Sequence, residues 1–186
     1  MQFTIFGDNS REGSYLLCID LQVPVRVSFG RFREGREIPL DQGSYLYVGS
    51  ALGSGNRAFP LASRLLRHAS RSGDRGPHFI RGELLRFFRN RGYEPKGKTG
   101  LKKLHWHIDY LLDIPEAEIT HIVMAMGPSR LESRLASLVS SMPGVVCVAD
   151  RLGAQDAASG THLFSVADTS ELIERLKQRI PFILSS

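Results

Sequence analysis

Residues 43–55 read GSYLYVGSALGSG. The first half alternates as a β-strand over 44–50, and because successive side chains of a strand point to opposite faces, Tyr45 and Tyr47 share one side. The second half is so rich in Gly and Ser that it reads as a loop built for close approach to the backbone. Upstream, residues 14–21 (SYLLCIDL) and 23–29 (VPVRVSF) are β-rich runs, and 31–42 reads as loop. Downstream, Pro60 suits the first turn of a helix running to about residue 70, and 80–91 is a second helix. The stretch RGYEPKGKTG (91–100) has the composition of an exposed loop. Residues 104–112 are a strand or the start of a helix. Strands are expected at 118–126, 145–148 and 162–166, and helices at 129–142 and 169–178. Early strands followed by interleaved helices and strands predict an α+β fold.

The chain has 186 residues, 42% of them hydrophobic, which suits one globular domain over 1–186 with a real core. Cys18 and Cys147 each sit in an apolar run with no CxxC partner, so a reducing compartment is expected. The start MQFTIFGDNS has neither the charged opening nor the apolar run of a signal peptide, and no segment approaches the length of a membrane span. The expectation is a cytosolic protein with no membrane partner. Charge is distributed unevenly: residues 57–103 hold thirteen Lys and Arg against three Asp and Glu, a local +10 on a chain whose total is +5. Such a block either draws a polyanion, releasing its counterions, or is a solvated insertion.

On the helix after the Gly-rich loop, Arg64, Arg67, His68 and Arg71 fall at i, i+3, i+4 and i+7 and form one cationic face, with Leu61, Leu65, Leu66 and Ala69 opposite. Exposed basic faces are common. Here, however, the helix follows directly from the tyrosine strand, and guanidinium groups bind phosphate bidentately.

The tyrosine strand, the word Tyr47-Val48-Gly49-Ser50-Ala51, the helix word Arg64-Leu65-Leu66-Arg67-His68 and the later LHWHIDYL (104–111) together resemble the GIY-YIG nuclease superfamily, and in particular a poorly characterised subgroup with GxYxYVGSA and HWHIDYL motifs. The resemblance runs from about residue 13 to 164. It implies a small antiparallel central sheet flanked by helices; the chain departs from the subgroup in a longer, more basic insertion at about 72–103. It also implies metal-dependent hydrolysis of phosphodiester bonds, with DNA as the expected partner. Tyr15, in Gly13-Ser14-Tyr15, matches the first-strand tyrosine and Tyr47 the second. Tyr45 competes for the first role, since Gly43-Ser44-Tyr45 repeats the word; Tyr15 is preferred because the fold needs two strands from separate segments. Arg64 and His68 match the helix residues. Glu132 is the best match for the glutamate holding one divalent metal, Mg²⁺ or Mn²⁺, although Ser129-x-x-Glu132 is also a capping box. Tyr45, Gly49, Ser50, Arg67, Arg71, Lys102 and Lys103 are expected to line the nucleic-acid path.

In such a site a strand tyrosine takes a proton from the attacking water, an arginine steadies the phosphoryl group and the metal assists the leaving oxygen. A free phenol with pKa ~10 is a poor base at neutral pH unless its surroundings help it. His105, His107 and Asp109 would share a face on a strand and bind zinc, whereas a helix would disperse them. The resemblance favours their lining the cleft, with Trp106 in the core. The subgroup's C-terminal cysteine cluster is reduced to Cys147, so no metal role is expected there. Two further readings stay open: a nucleic-acid-binding module without chemistry, and a zinc hydrolase built on HWHID. The loop GSALGSGN lacks the ending of a P-loop, and no nucleophile elbow is present.

Overall fold

Strand formation starts with GSYLLCIDL, whose side chains are buried on both faces, so layers must cover both sides of the sheet that contains it. The computed structural model describes residues 2–53, 59–95, 102–152 and 161–185. Along the chain come β1 (Phe3–Gly7), β2 (Gly13–Leu21), β3 (Val25–Ser28), β4 (Glu37–Leu40), β5 (Gly43–Ala51), α1 (Pro60–His68), α2 (Arg81–Arg89) and α3 (His107–Leu112). After them follow β6 (Ala117–Met126), α4 (Glu132–Ser140), β7 (Val145–Cys147), β8 (Leu163–Val166) and α5 (Thr169–Leu184). The fold is α+β. The main sheet has six strands in the order β1-β6-β2-β5-β8-β7, larger than expected, and β1 runs parallel to β6 while the other pairs are antiparallel.

Period-two alternation sorts the side chains. Tyr15, Leu17, Ile19, Tyr45 and Tyr47 join Leu61, Leu65, Leu84, Phe88, Ile108 and Leu111 in one cluster, under α1, α2 and α3. Leu16, Cys18, Leu46 and Val48 join Leu135, Val139, Leu172, Leu176 and Ile180 in a second, under α4 and α5. Each fully buried leucine in these layers contributes about 1.5–3 kcal/mol relative to exposure. Of the two phenylalanines of α2, Phe88 is buried in the core, and the basic insertion is anchored by Ile80, Leu84 and Phe88.

Three local expectations change. The segment between β2 and β5 is not loop alone: β3 and β4 form a separate two-stranded antiparallel ladder, with Pro39 opposite Arg26. Proline is tolerated there because a two-stranded ladder leaves one side of each strand without a partner to receive an N–H. Residues 107–112 form a short helix, and α5 continues to Leu184 with Pro181 inside its last turns. The expected loop at 54–58 and residues 96–101 of the basic insertion lie outside the described residues. Among the described residues no helix is long and apolar enough to cross a membrane.

Candidate functional site

The site begins with two cross-strand pairs between β2 and β5. Tyr15 lies opposite Gly49, and Ser14 lies opposite Ser50. Because adjacent residues face opposite sides, the Tyr/Gly pair serves the layer of α1 and the Ser/Ser pair serves the layer of α4. A β-carbon on Gly49 would meet Cζ and Oη of Tyr15 at 2.6 Å, so only glycine lets the tyrosine ring lie across the neighbouring strand.

Crossing there, Tyr15 reaches the end of α1. Its Oη lies 2.8 Å from His68 Nε2, and His68 Nδ1 lies 3.1 Å from Asp109 Oδ1. Tyr15, His68 and Asp109 are each fully buried. Burial lowers the pKa of His68 against the opposing pull of Asp109, so the ring is neutral near pH 7. Burial alone would raise the Asp109 carboxyl; the hydrogen bond and charge of His68, the charge of Lys102 and the His105 N–H together hold it well below the usual carboxylate range. An ionised carboxylate can only accept, which fixes the tautomer: Nδ1–H donates to Asp109, and Nε2 accepts from the Tyr15 hydroxyl. The result is a buried chain of donors, phenol to imidazole to carboxylate.

Asp109 is placed by the HWHID word itself. As α3 turns in, Asp109 Oδ2 accepts the backbone N–H groups of His105 at 3.0 Å and Trp106 at 3.2 Å, and Arg67 Nη2 donates to it at 3.1 Å. The helix disperses the rest of the word. His105 is exposed with its ring edge-on to Trp106, and His107 is buried against Phe32. The three-residue face that a strand would have offered to zinc is therefore not formed, and Asp109 alone of the three joins the site. Trp106 is more than core: the Arg64 guanidinium lies 3.7 Å above its ring centre and that of Arg67 lies 5.0 Å away. Among the described residues Arg64 makes no ion pair, and its positive charge acts on both Tyr15 and Tyr47.

Tyr47 lies beside Tyr15, with ring centres 6.4 Å apart, and 6.3 Å from the His68 ring. Burial pushes both phenols up; for Tyr15 the neighbouring Tyr47 adds to this, Glu132 and Asp109 push both further, and Arg64 opposes. Neither phenol is therefore an anion in the free protein. Glu132 comes from the opposite face of the sheet. Ser50 Oγ donates to its Oε2 at 2.6 Å, and His162 Nδ1 lies 3.0 Å from Oε1 without hydrogen-bond alignment. Ser14, the cross-strand partner of Ser50, accepts the N–H of Leu131 at 3.1 Å and so holds the start of α4. Helix α4 begins at Glu132 with no side-chain cap, so the capping-box reading of Ser129 fails and the carboxylate turns instead to Ser50 on the inner strand β5. Burial raises the Glu132 pKa, but His162 and Ser50 outweigh it and keep the carboxyl below its usual range.

A carboxylate has about four lone-pair positions, so Glu132, with one contact on each oxygen, retains capacity for a cation. Mg²⁺ is commonly bound through one or two carboxylates with water completing the shell, and Glu132 fits that sparse pattern. Among the described residues no group of three or more His, Cys, Asp and Glu side chains is placed to hold a metal.

Several predicted path residues have other work. Tyr45 donates its hydroxyl to the Asp41 carbonyl, Gly49 is covered by Tyr15, and Ser50 is bound to Glu132. Arg71, with its side chain 8% exposed, pairs with Glu118 at 3.0 Å and donates to the Ala117 carbonyl. Lys102, 5% exposed, donates to the Ser70 carbonyl at 2.7 Å between Asp109 and Asp113. Both cations are consumed inside, because a buried charge must be paired. Of the basic set, Lys103 is exposed and Arg67, which also donates to the Lys103 carbonyl, is about a third exposed. Two residues of the site carried little sequence signal: Asp109 as the partner of His68, and His162 beside Glu132.

Comparison with curated proteins and with solved structures finds no match for the chain. A family model does match, over residues 14–183, which spans every residue of the site just described. The chain therefore belongs to the family described as "Domain of unknown function DUF123".

Proposed function

We propose that the protein is a metal-dependent endonuclease of the GIY-YIG kind, hydrolysing phosphodiester bonds in DNA within a reducing, cytosolic compartment. The observation that carries this reading is the buried Tyr15–His68–Asp109 chain, set beside Tyr47, with the charges of Arg64 and Glu132 both acting on the two phenols. A raised phenol pKa is no obstacle to such a device. Tyr15 accepts a proton from the attacking water while passing its own to His68 Nε2, so no free phenolate has to exist. The imidazolium formed is stabilised by Asp109, which is already ionised. Arg64 offers its fork to the phosphoryl oxygens, where charge develops. Tyr47, whose hydroxyl has no protein hydrogen bond among the described residues, orients the water or a phosphoryl oxygen. A single Mg²⁺ or Mn²⁺ held by Glu132 would supply Lewis acidity to the phosphoryl group. Tyr15 is sealed in the free protein, so admission of the attacking water belongs to substrate binding.

That same sealing favours a second reading, a nucleic-acid-binding module in which the chain is purely structural. One experiment separates them: incubate plasmid and branched DNA with the protein and Mg²⁺ or Mn²⁺. The nuclease reading expects cleavage that is lost in Arg64→Ala and Glu132→Ala while binding persists. Binding that weakens steeply with salt, with no substrate ever cut, supports the module instead.

A further inference from the structure

We propose a second subsite, next to the reacting centre, that receives one unpaired nucleobase; the proposal rests on the endonuclease reading. A cavity of about 510 Å³ opens between the β1–β2 turn, the start of α1, the end of α2 and the end of β6. That volume falls in the range of pockets that enclose a small ligand, roughly 300–1,000 Å³. Its lining is chemically selective. Phe59 provides a flat apolar wall, Asn9 and Asn90 provide paired donors and acceptors, and Arg11 and Arg91 provide positive charge. No carboxylate is among its described lining residues.

The guanidinium carbon of Arg11 lies 4.4 Å from the centre of the Phe59 ring, and that of Arg91 lies 3.8 Å from the centre of Phe87. A guanidinium stacks on planar groups and is weakly hydrated, which suits it to nucleic-acid recognition. Amide side chains read the donor and acceptor edge of a base, and a guanidinium plane such as that of Arg11, itself set against Phe59, takes its face. Together these recognise a nucleotide rather than an apolar ligand or a peptide acid. A base pair buried in a duplex presents neither a free face nor a free pairing edge to such a pocket, so the occupant is unpaired.

The subsite is also tied to the catalytic elements. Phe59 immediately precedes α1 and Arg64 follows it by five residues, about 7.5 Å of helical rise. The Arg11 carbonyl accepts the N–H of Leu61 at 3.2 Å, and Arg11 stands four residues before Tyr15 on the chain leading into β2. A strand whose phosphate lies at Arg64 thus brings a neighbouring base within reach of the pocket. The preferred substrate is a flap, branch or single strand, not intact duplex.

The test is equilibrium binding in EDTA, which needs no chemistry. Fluorescence anisotropy is measured with the full chain on a labelled duplex and on the same duplex carrying a short single-stranded flap. The flap substrate is expected to bind about tenfold more tightly. Asn9→Ala/Asn90→Ala removes the amides without changing charge, and Ser10→Trp fills the cavity; each should erase most of that preference and leave duplex affinity within about twofold. Equal affinity for the two DNAs in the wild type, or a preference that survives both variants, overturns the subsite. Failure of the endonuclease reading is seen separately, as DNA left intact when Mg²⁺ is restored, and does not alter the EDTA result.

Discussion

At the scale of single residues, Gly49 and Asp109 decide whether the reacting phenol is in place. Gly49→Ala puts a methyl group 2.6 Å from the Tyr15 ring, and neither the strand backbone nor a fully buried ring can move aside cheaply. Overpacking of this kind costs about 1–3 kcal/mol, to be read as a lower urea midpoint at unchanged slope, and cleavage should fall with it because the Tyr15–His68 contact is lost. Asp109→Asn acts differently. It keeps the shape but removes the charge that fixes the His68 tautomer, so the rate of cleavage should fall about 10²–10³-fold with DNA affinity within twofold. The pH profile reports the same chain. Neutral His68 is required, burial lowers its pKa, and the acid limb of the rate profile should lie below the ordinary histidine value of 6.5. In Asp109→Asn the carboxylate that partly raised the pKa is gone, and the limb should move lower still. Tyr15, Tyr47, Arg64, His68 and Glu132 could be singled out from spacing and words in the sequence. Asp109 could be suspected but not given its role, because its contact with His68 joins residues 41 apart and the tautomer depends on burial. The fates of Arg71 and Lys102 were hidden for a related reason: a cation in a basic block looks the same in sequence whether it meets solvent or buried acids.

Among the elements, the connection from α1 to α2 is held by a buried polar cluster against α3 and β6. His78 Nε2–H donates to the Leu112 carbonyl at 2.9 Å, while its Nδ1 accepts the Ile119 N–H at 3.1 Å. Arg71 and Glu118 flank the ring, Phe79 N–H is bound by Glu118, and Asp113 takes Ser72 and Arg75. Burial, with the Arg71 charge adding to it, pulls His78 down to about 4. A base with a depressed folded pKa binds protons first in the unfolded chain, so its contribution is complete above about 6.5 and is lost as pH falls toward 4. The melting temperature should therefore decline between pH 7 and 4 by less in His78→Gln than in wild type, as differential scanning calorimetry would show. Most strands and helices were legible because their periodicity is strong. Strand β1 is a short edge strand beside the start of the chain, β4 carries Pro39, and 104–112 is too brief for period to choose between strand and helix; these are the elements that packing, not local pattern, defines.

For the whole molecule, net charge overstates the surface available to DNA. The block at 57–103 spends Arg71 and Lys102 on internal acids, so the salt dependence of binding should reflect fewer phosphate contacts than its thirteen cations suggest. If exposed cations alone meet phosphate, Lys103→Ala should reduce the slope of log K against log salt by about 0.9 for duplex DNA. Lys102→Met should leave that slope unchanged and show instead as lost stability. Anisotropy titrations at several salt concentrations, alongside urea melts, measure both.

The two adjoining cross-strand pairs have a consequence for the integrity of the proposed site. Tyr15 and Gly49 govern one layer and Ser14 and Ser50 the other, so slippage of β2 against β5 by a single position would turn the phenol toward α4 and a serine toward His68. Both layers would lose their cores in the same event. A chain that aligns these strands wrongly is consequently not a folded protein with one misplaced side chain but an unfolded one, and quality control of the fold doubles as proofreading of the Tyr15–His68 contact.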